Sequence, residues 1–179
     1  MIREFSAKAK ASNNKARTLF ALCMALSFVF LSASTLLPLY RGVVSLIGLG
    51  LLVAAITIFT KYVSPIFYYD ITFDNEGAPL FVVRQMIGKR QTTLCRIGLF
   101  EIVKIEKENS EQRKAHKTPT GFVKYSYIPT IMPETTYRIT SVNRYEKSEI
   151  LIEASDEFIS LLRVYSAEAR GNYIPYEEE

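Results

Sequence analysis

The chain has 179 residues, 49% of them hydrophobic, with 22 Lys/Arg against 18 Asp/Glu. A formal charge of +4 invites a nucleic-acid reading, but the excess does not sit on the polar part of the chain. Residues 1–17 carry five positive side chains (Arg3, Lys8, Lys10, Lys15 and Arg17) against Glu4, whereas from Pro65 onward 15 Lys/Arg are outnumbered by 17 Asp/Glu. Positive charge flanking an apolar region is what membrane topology selects, so no nucleic-acid partner is implied.

Thr18–Tyr40 contains no charge, and Gly42–Thr60 contains none. A bilayer core about 30 Å thick needs ~20 helical residues, so each stretch is long enough to cross. Pro38, Arg41 and Gly42 mark a tight turn, which predicts an antiparallel hairpin over 18–63, with helices at about 18–39 and 42–62 that contact the lipid bilayer. The basic 1–17 segment places the N-terminus in the cytoplasm, and the hairpin returns the chain there, as a multi-pass protein of the plasma membrane. A cleaved signal peptide competes, with Leu19–Leu31 as its apolar region and Ser32, Ala33 and Ser34 as small residues, but it leaves the C-terminal part on the same side. Gly50/Ala54 and Ala21/Ala25 are small-xxx-small pairs, expected to pack the hairpin on itself, with a dimer face as the alternative. Tyr62, Phe67, Tyr68 and Tyr69 with Lys61 read as an interfacial aromatic belt.

After Pro65 the pattern has period two. Tyr69, Ile71 and Phe73 alternate with Asp70, Thr72 and Asp74, and Asn75-Glu76-Gly77 marks a turn. Further strands are predicted at Pro79–Ile87, Gln91–Ile97, Phe100–Glu106, Phe122–Ile128, Thr136–Val142 and Glu149–Ala154, about seven in all. The polar run Lys107–Gly121 reads as an exposed loop. Ser155 is the expected N-cap of a last helix, with Asp156 and Glu157 in its first turn. Phe158, Leu161, Leu162 and Tyr165 form one apolar stripe, and Arg170-Gly171 mark its end. An acidic tail occupies 171–179.

Short antiparallel strands closed by one amphipathic helix resemble the pleckstrin-homology superfold. The stretch Gly88-Lys89-Arg90-Gln91-Thr92-Thr93-Leu94-Cys95-Arg96-Ile97 followed by Phe100-Glu101-Ile102-Val103 looks like bacterial PH-like membrane proteins. So do Ser155-Asp156-Glu157-Phe158 and the order of a two-helix hairpin before the domain. The resemblance covers 65–170 and implies a seven-stranded antiparallel barrel or sandwich with a C-terminal helix. Eukaryotic members usually place a Trp in the last helix; this chain has none, and Phe158 or Tyr165 takes its place. Many members bind phosphoinositides through basic residues at the first hairpin loop, which here is the acidic Asp74–Gly77.

Little in the sequence points to catalysis. His116 is the single histidine, flanked by Lys114 and Lys117, and reads as an exposed loop residue. One His and two distant Cys (Cys23 and Cys95) supply neither the usual zinc set nor a nucleophile with its base, and they imply no disulfide. No phosphate-binding glycine motif occurs, and no cofactor is implied. Glu106/Glu108 and Glu146/Glu149 are expected to be solvated. Lys89, Arg90, Arg96, Arg113, Lys114 and Lys117 are the candidate contacts for anionic lipid headgroups. These readings predict a non-enzymatic, membrane-anchored scaffold for a protein partner or homo-oligomer. A lipid-headgroup sensor is the alternative, and a membrane-bound enzyme comes third.

Overall fold

The computed structural model describes residues 2–9, 14–36 and 38–172, so Lys10 and most of the acidic tail lie outside the described residues. The chain divides into two compact units. One spans Ser12–Pro65; the other joins the residues before it to those from Ile66 onward.

The first unit is a helical hairpin. Helix α1 covers Asn14–Leu36, a short 3-10 turn covers Pro38–Tyr40, and α2 covers Arg41–Ile58, continuing as one π-helical turn over Phe59–Val63. Both helices are long and apolar enough to cross a membrane. α1 begins at Asn14, so Lys15 and Arg17 of the basic segment belong to it. The seam between the helices differs from the expected one. Gly50, Ala54, Ala21 and Ala25 are exposed, whereas Ser27 and Ser34 of α1 and Gly48 and Ala55 of α2 are buried. Ser27 Oγ donates to Gly48 O at 2.8 Å. Both buried pairs are seven residues apart, the period that keeps one seam facing a partner helix at a shallow crossing. A Cβ on Gly48 would lie 2.9 Å from Leu31 Cγ and 3.3 Å from the Leu31 backbone nitrogen; on Gly50 it would meet nothing within 4 Å.

Among the described residues the second unit holds eight strands in two four-stranded sheets, not seven in a closed barrel. Sheet one has the order β1 (Phe5–Lys8), β2 (Pro65–Phe73), β3 (Pro79–Ile87), β4 (Arg90–Gly98). The unexpected strand is β1: it pairs antiparallel with β2, Phe5 opposite Ile71, and Ala9 N donates to Phe67 O at 2.9 Å. A 3-10 turn, Leu99–Glu101, leads to β5 (Ile102–Asn109). The predicted loop after it contains a short helix, α3 (Ser110–Ala115), started by a capping box between Asn109 and Gln112. β6 (Phe122–Tyr127), β7 (Thr135–Val142) and β8 (Lys147–Ile152) complete sheet two in the order β5-β7-β8-β6. β6 runs parallel to β8, so the expectation of wholly antiparallel pairing fails there. The chain passes through Pro129 and Pro133 and lays β7 beside β5, which leaves β6 to pair on the far side of β8.

Helix α4, Asp156–Asn172, starts where the sequence places it: Ser155 Oγ accepts from Phe158 N at 3.2 Å. It ends one residue beyond the expected Arg170-Gly171. Phe158 and Leu162 are fully buried, Tyr165 packs on the core, and Leu161 is half-buried. The Phe158 ring lies 6.0 Å from Phe5, 6.1 Å from Tyr69 and 6.2 Å from Phe81, one ring from each of β1, β2 and β3. Phe67 and Tyr69 belong to this core, which removes both from the expected aromatic belt. Their alternation with Tyr68 sets strand β2 and decides the matter.

Two outcomes test these contacts. Gly48→Val should destabilise the hairpin by about 1–3 kcal/mol through overpacking, and Gly50→Val should not, as read by thermal unfolding of the full chain in detergent. Phe158→Ala should cost the β-rich unit about 3–5 kcal/mol, and an unchanged transition would show that α4 is not packed there.

Candidate functional site

The six cations singled out by the sequence do not converge. Lys89 and Arg90 are exposed at the tip of the β3–β4 hairpin, where Gly88 turns at φ 60°. Arg96 lies on the same strand but six residues on, roughly 20 Å at the rise of a strand. Arg113 and Lys114 ride on α3 and Lys117 follows it, beside the other sheet; Lys114 and Lys117 are exposed. The acidic first hairpin loop is occupied by its own turn. Asp74 Oδ1 accepts from Glu76 N at 2.9 Å and Ala78 N at 2.7 Å, and Gly77 adopts φ 82°.

The outer face of sheet two carries a buried ionic cluster that the sequence reading missed. Along β7, Tyr137 and Ile139 point into the core, so Arg138 points the other way. Its Nε and Nη2 donate to Glu108 Oε1 and Oε2 at 2.6 and 2.8 Å, and its Nη1 donates to Glu149 Oε2 at 2.6 Å. His116, delivered by the end of α3, places Nε2 3.0 Å from Glu149 Oε1. Glu108 and Glu149 are therefore buried, not solvated, and His116 is a hydrogen-bond partner of Glu149 with 28% of its side chain exposed, not a free loop histidine. Hydrogen bonding to Arg138 holds the Glu108 carboxyl below its ordinary value. A guanidinium sits between the two carboxylates, so the cluster joins β5, β7, β8 and the α3 segment. Arg113 lies nearby in sequence, half-buried, with Nη1 buried and without a hydrogen-bond partner among the described residues.

Sheet one presents an open cavity of about 480 Å³ on its outer face. Its polar lining is Glu4 and Ser6 from β1 and the residues before it, Asp70 and Thr72 from β2, Arg84 from β3, and Thr93 and Arg96 from β4. Arg84 Nε donates to Asp70 Oδ2, and Thr72 Oγ1 donates to Glu4 Oε1 at 3.2 Å. Asp70 Oδ1 is buried and has no hydrogen-bond partner among the described residues. Arg96 is the one sequence-predicted cation that the fold brings to this cavity. Glu4, Asp70 and Arg84 were not foreseen; the alternation of Asp70 and Thr72 with Tyr69 and Ile71 was the available signal.

No known protein family, curated protein or solved structure matches the chain. The site therefore rests on its own chemistry. Between the sheets, Tyr69 OH donates to Tyr127 O at 2.9 Å and Tyr127 OH to Leu94 O at 3.3 Å. Burial pushes the Tyr69 phenol up, and it pushes the Cys95 thiol up to about 11. A thiol with that value is almost wholly protonated near neutral pH and is a poor nucleophile.

The Arg138 cluster has a pH signature. A carboxyl whose folded value lies below its unfolded value stabilises the fold above the ordinary value near 4.5, and that stability is lost as pH falls toward the folded value. Glu108→Gln should cost about 3–5 kcal/mol at neutral pH, because it breaks a buried pair, and its penalty should shrink on acidification. A gap between wild type and variant that stays constant from pH 7 to about pH 3 in urea unfolding would remove Glu108 from the linkage.

Proposed function

We propose that the chain is a membrane-anchored, non-enzymatic binding module, with a PH-like domain held at the inner membrane face for a protein partner or a second copy. The observation that carries the reading is the free edge of sheet one. β4 has a strand partner on one side only, and Arg90 through Leu94 are all exposed. Leu94 keeps 37% of its surface in the open and Ile87, on the neighbouring strand, keeps 48%. Apart from Leu94 O, which accepts from Tyr127 OH, such an edge offers backbone groups to an extended segment, with side-chain contacts to add specificity.

Other features support the same reading. Two spanning-length helices give a permanent tether, and the basic residues ahead of them favour a cytoplasmic N-terminus and, through the hairpin, a cytoplasmic domain. Two sheets with a C-terminal helix packed on the core favour the PH-like arrangement. Sensing of anionic lipid ranks lower, because the candidate cations are split between two sheets and Arg96 shares its cavity with two carboxylates.

A photo-crosslinking residue at Thr92 in the membrane-inserted full chain should give a discrete product, either a dimer or one heterologous band. Leu94→Lys, a charge of the kind that blunts edges, should abolish it. A reporter fused to the C-terminus should be active only when it is of the cytoplasmic type. No crosslink from Thr92 in a folded protein would overturn edge docking, and a reporter active only outside would overturn the placement.

A further inference from the structure

We infer that one end of sheet one is a seat for an anionic lipid surface, made by Ile87, Lys89 and Arg90 at the β3–β4 tip and Lys8 at the end of β1. The inference rests on the membrane anchor proposed above and names the part of the domain that meets the leaflet. The seat responds to negative charge and reads no particular headgroup.

Strand directions bring these residues to one end. β1 pairs antiparallel with β2, with Lys8 opposite Tyr68, so β1 ends beside the start of β2. β2 and β3 are neighbours of equal length, joined by a tight turn in which Asp74 N donates to Ala78 O at 3.0 Å. The end of β3 therefore lies beside the start of β2. β3 turns into β4 through Gly88 and Lys89, with Ile87 opposite Arg90. At the usual strand spacing, Lys8 and Arg90 stand roughly 15 Å apart across the four strands. The same end of the sheet receives the chain from the second spanning helix. Ile66 follows Val63, the last residue of the π-helical turn, by three positions, a reach of at most about 11 Å. That turn carries Lys61 and Tyr62, the ammonium 5.5 Å from the ring centroid, a pair suited to the membrane interface.

The side chains at this end fit a negative surface. Ile87, Lys89, Arg90 and Lys8 are exposed, and the three cations have no ion pair among the described residues. Residues 7–9, 66–68 and 86–91 include no Asp or Glu. The opposite end is mixed: Asp74 and Glu76 stand in the β2–β3 turn, and Arg3 and Glu4 precede β1. An exposed apolar side chain among cations is the composition of an interfacial segment, with the apolar group at the acyl boundary and the cations among the headgroups. Each cation strengthens association with an anionic surface by about five-fold. Three of them give a free domain only modest affinity, but a linkage of three residues to an anchored helix supplies a high effective concentration.

The test uses the full chain, which has no tryptophan of its own. Ile87→Trp places one at the tip, and Glu76→Trp places one at the other end of β3, roughly 30 Å away. Each variant is inserted into phosphatidylcholine nanodiscs, with or without phosphatidylserine, that contain a lipid with a nitroxide quencher on its headgroup. In the anionic discs Ile87→Trp should be quenched and blue-shifted, and Glu76→Trp should show neither change. Salt at about 1 M, which shortens the screening length to ~3 Å, should relieve the quenching, and so should discs without phosphatidylserine. Lys8→Glu combined with Lys89→Glu, at exposed side chains where the thermal transition should be kept, should also relieve it. Equal quenching at the two positions, quenching that survives the double reversal, or none at Ile87→Trp would each overturn the seat. The anchor fails separately: a chain that does not co-purify with the discs refutes it, and the seat with it, before any emission is read.

Discussion

One aromatic side chain ties the ends of the β-rich unit together. Phe158 stands on α4, and its ring meets Phe5, Tyr69 and Phe81 on three successive strands of sheet one. It is fully buried, as are Leu99, Ile139, Ile150 and Leu162 around it. The contact with Phe5 joins residues that are more than 150 apart in the chain, and it recruits the segment before the hairpin into the sheet. Without it, β1 is a four-residue strand at an edge, too short to hold by backbone pairing alone. In chain order the helical hairpin lies between β1 and β2. β1 and β2, the strands before and after it in the sequence, are neighbours in sheet one.

With the cores of both sheets turned toward α4, each outer face has to deal with its polar side chains separately. Sheet two closes its face: Arg138 is satisfied by two carboxylates, and α3 brings His116 to the second of them. Sheet one leaves its face open, and Asp70 is only half satisfied there. The two faces use the same residue types to opposite ends. A buried guanidinium with both flanks occupied fixes strand positions, because removing either partner strands a charge. On sheet one the Arg84–Asp70 pair lines an open cavity, while Asp70 Oδ1 is buried without a hydrogen-bond partner among the described residues.

The sequence made the local patterns legible. Strand alternation from Tyr69 to Phe73 and the stripe on α4 are set by neighbours two to four residues apart, and they appear where expected. What depends on distant partners was not legible. Phe5-Ser6-Ala7-Lys8 alternates too briefly to stand out, and its basic surroundings read as a topology signal. His116 and Glu149 are 33 positions apart, so their contact exists only in the fold. Glu108 and Glu149 read as solvated because charge is normally exposed, and nothing local announces the Arg138 between them. Phe67 and Tyr69 follow a membrane-length helix, where aromatic residues serve an interface or a core equally well by composition. Only the side of the strand decides.

The hairpin shows the same limit at finer scale. Small residues recur at a spacing of four at Gly50 and Ala54 and at a spacing of seven at Gly48 and Ala55. Both satisfy the need for close approach, but a helix has one seam toward its partner, and the 3.6-residue turn places the two pairs on different faces. The Ser27 hydroxyl decides in favour of Gly48, whose carbonyl it reaches across the seam. In a medium without water, such a bond has few competitors, and it locks one helix's rotation against the other. Gly50 and Ala54 are then left on the outward side by geometry alone, whatever surrounds them.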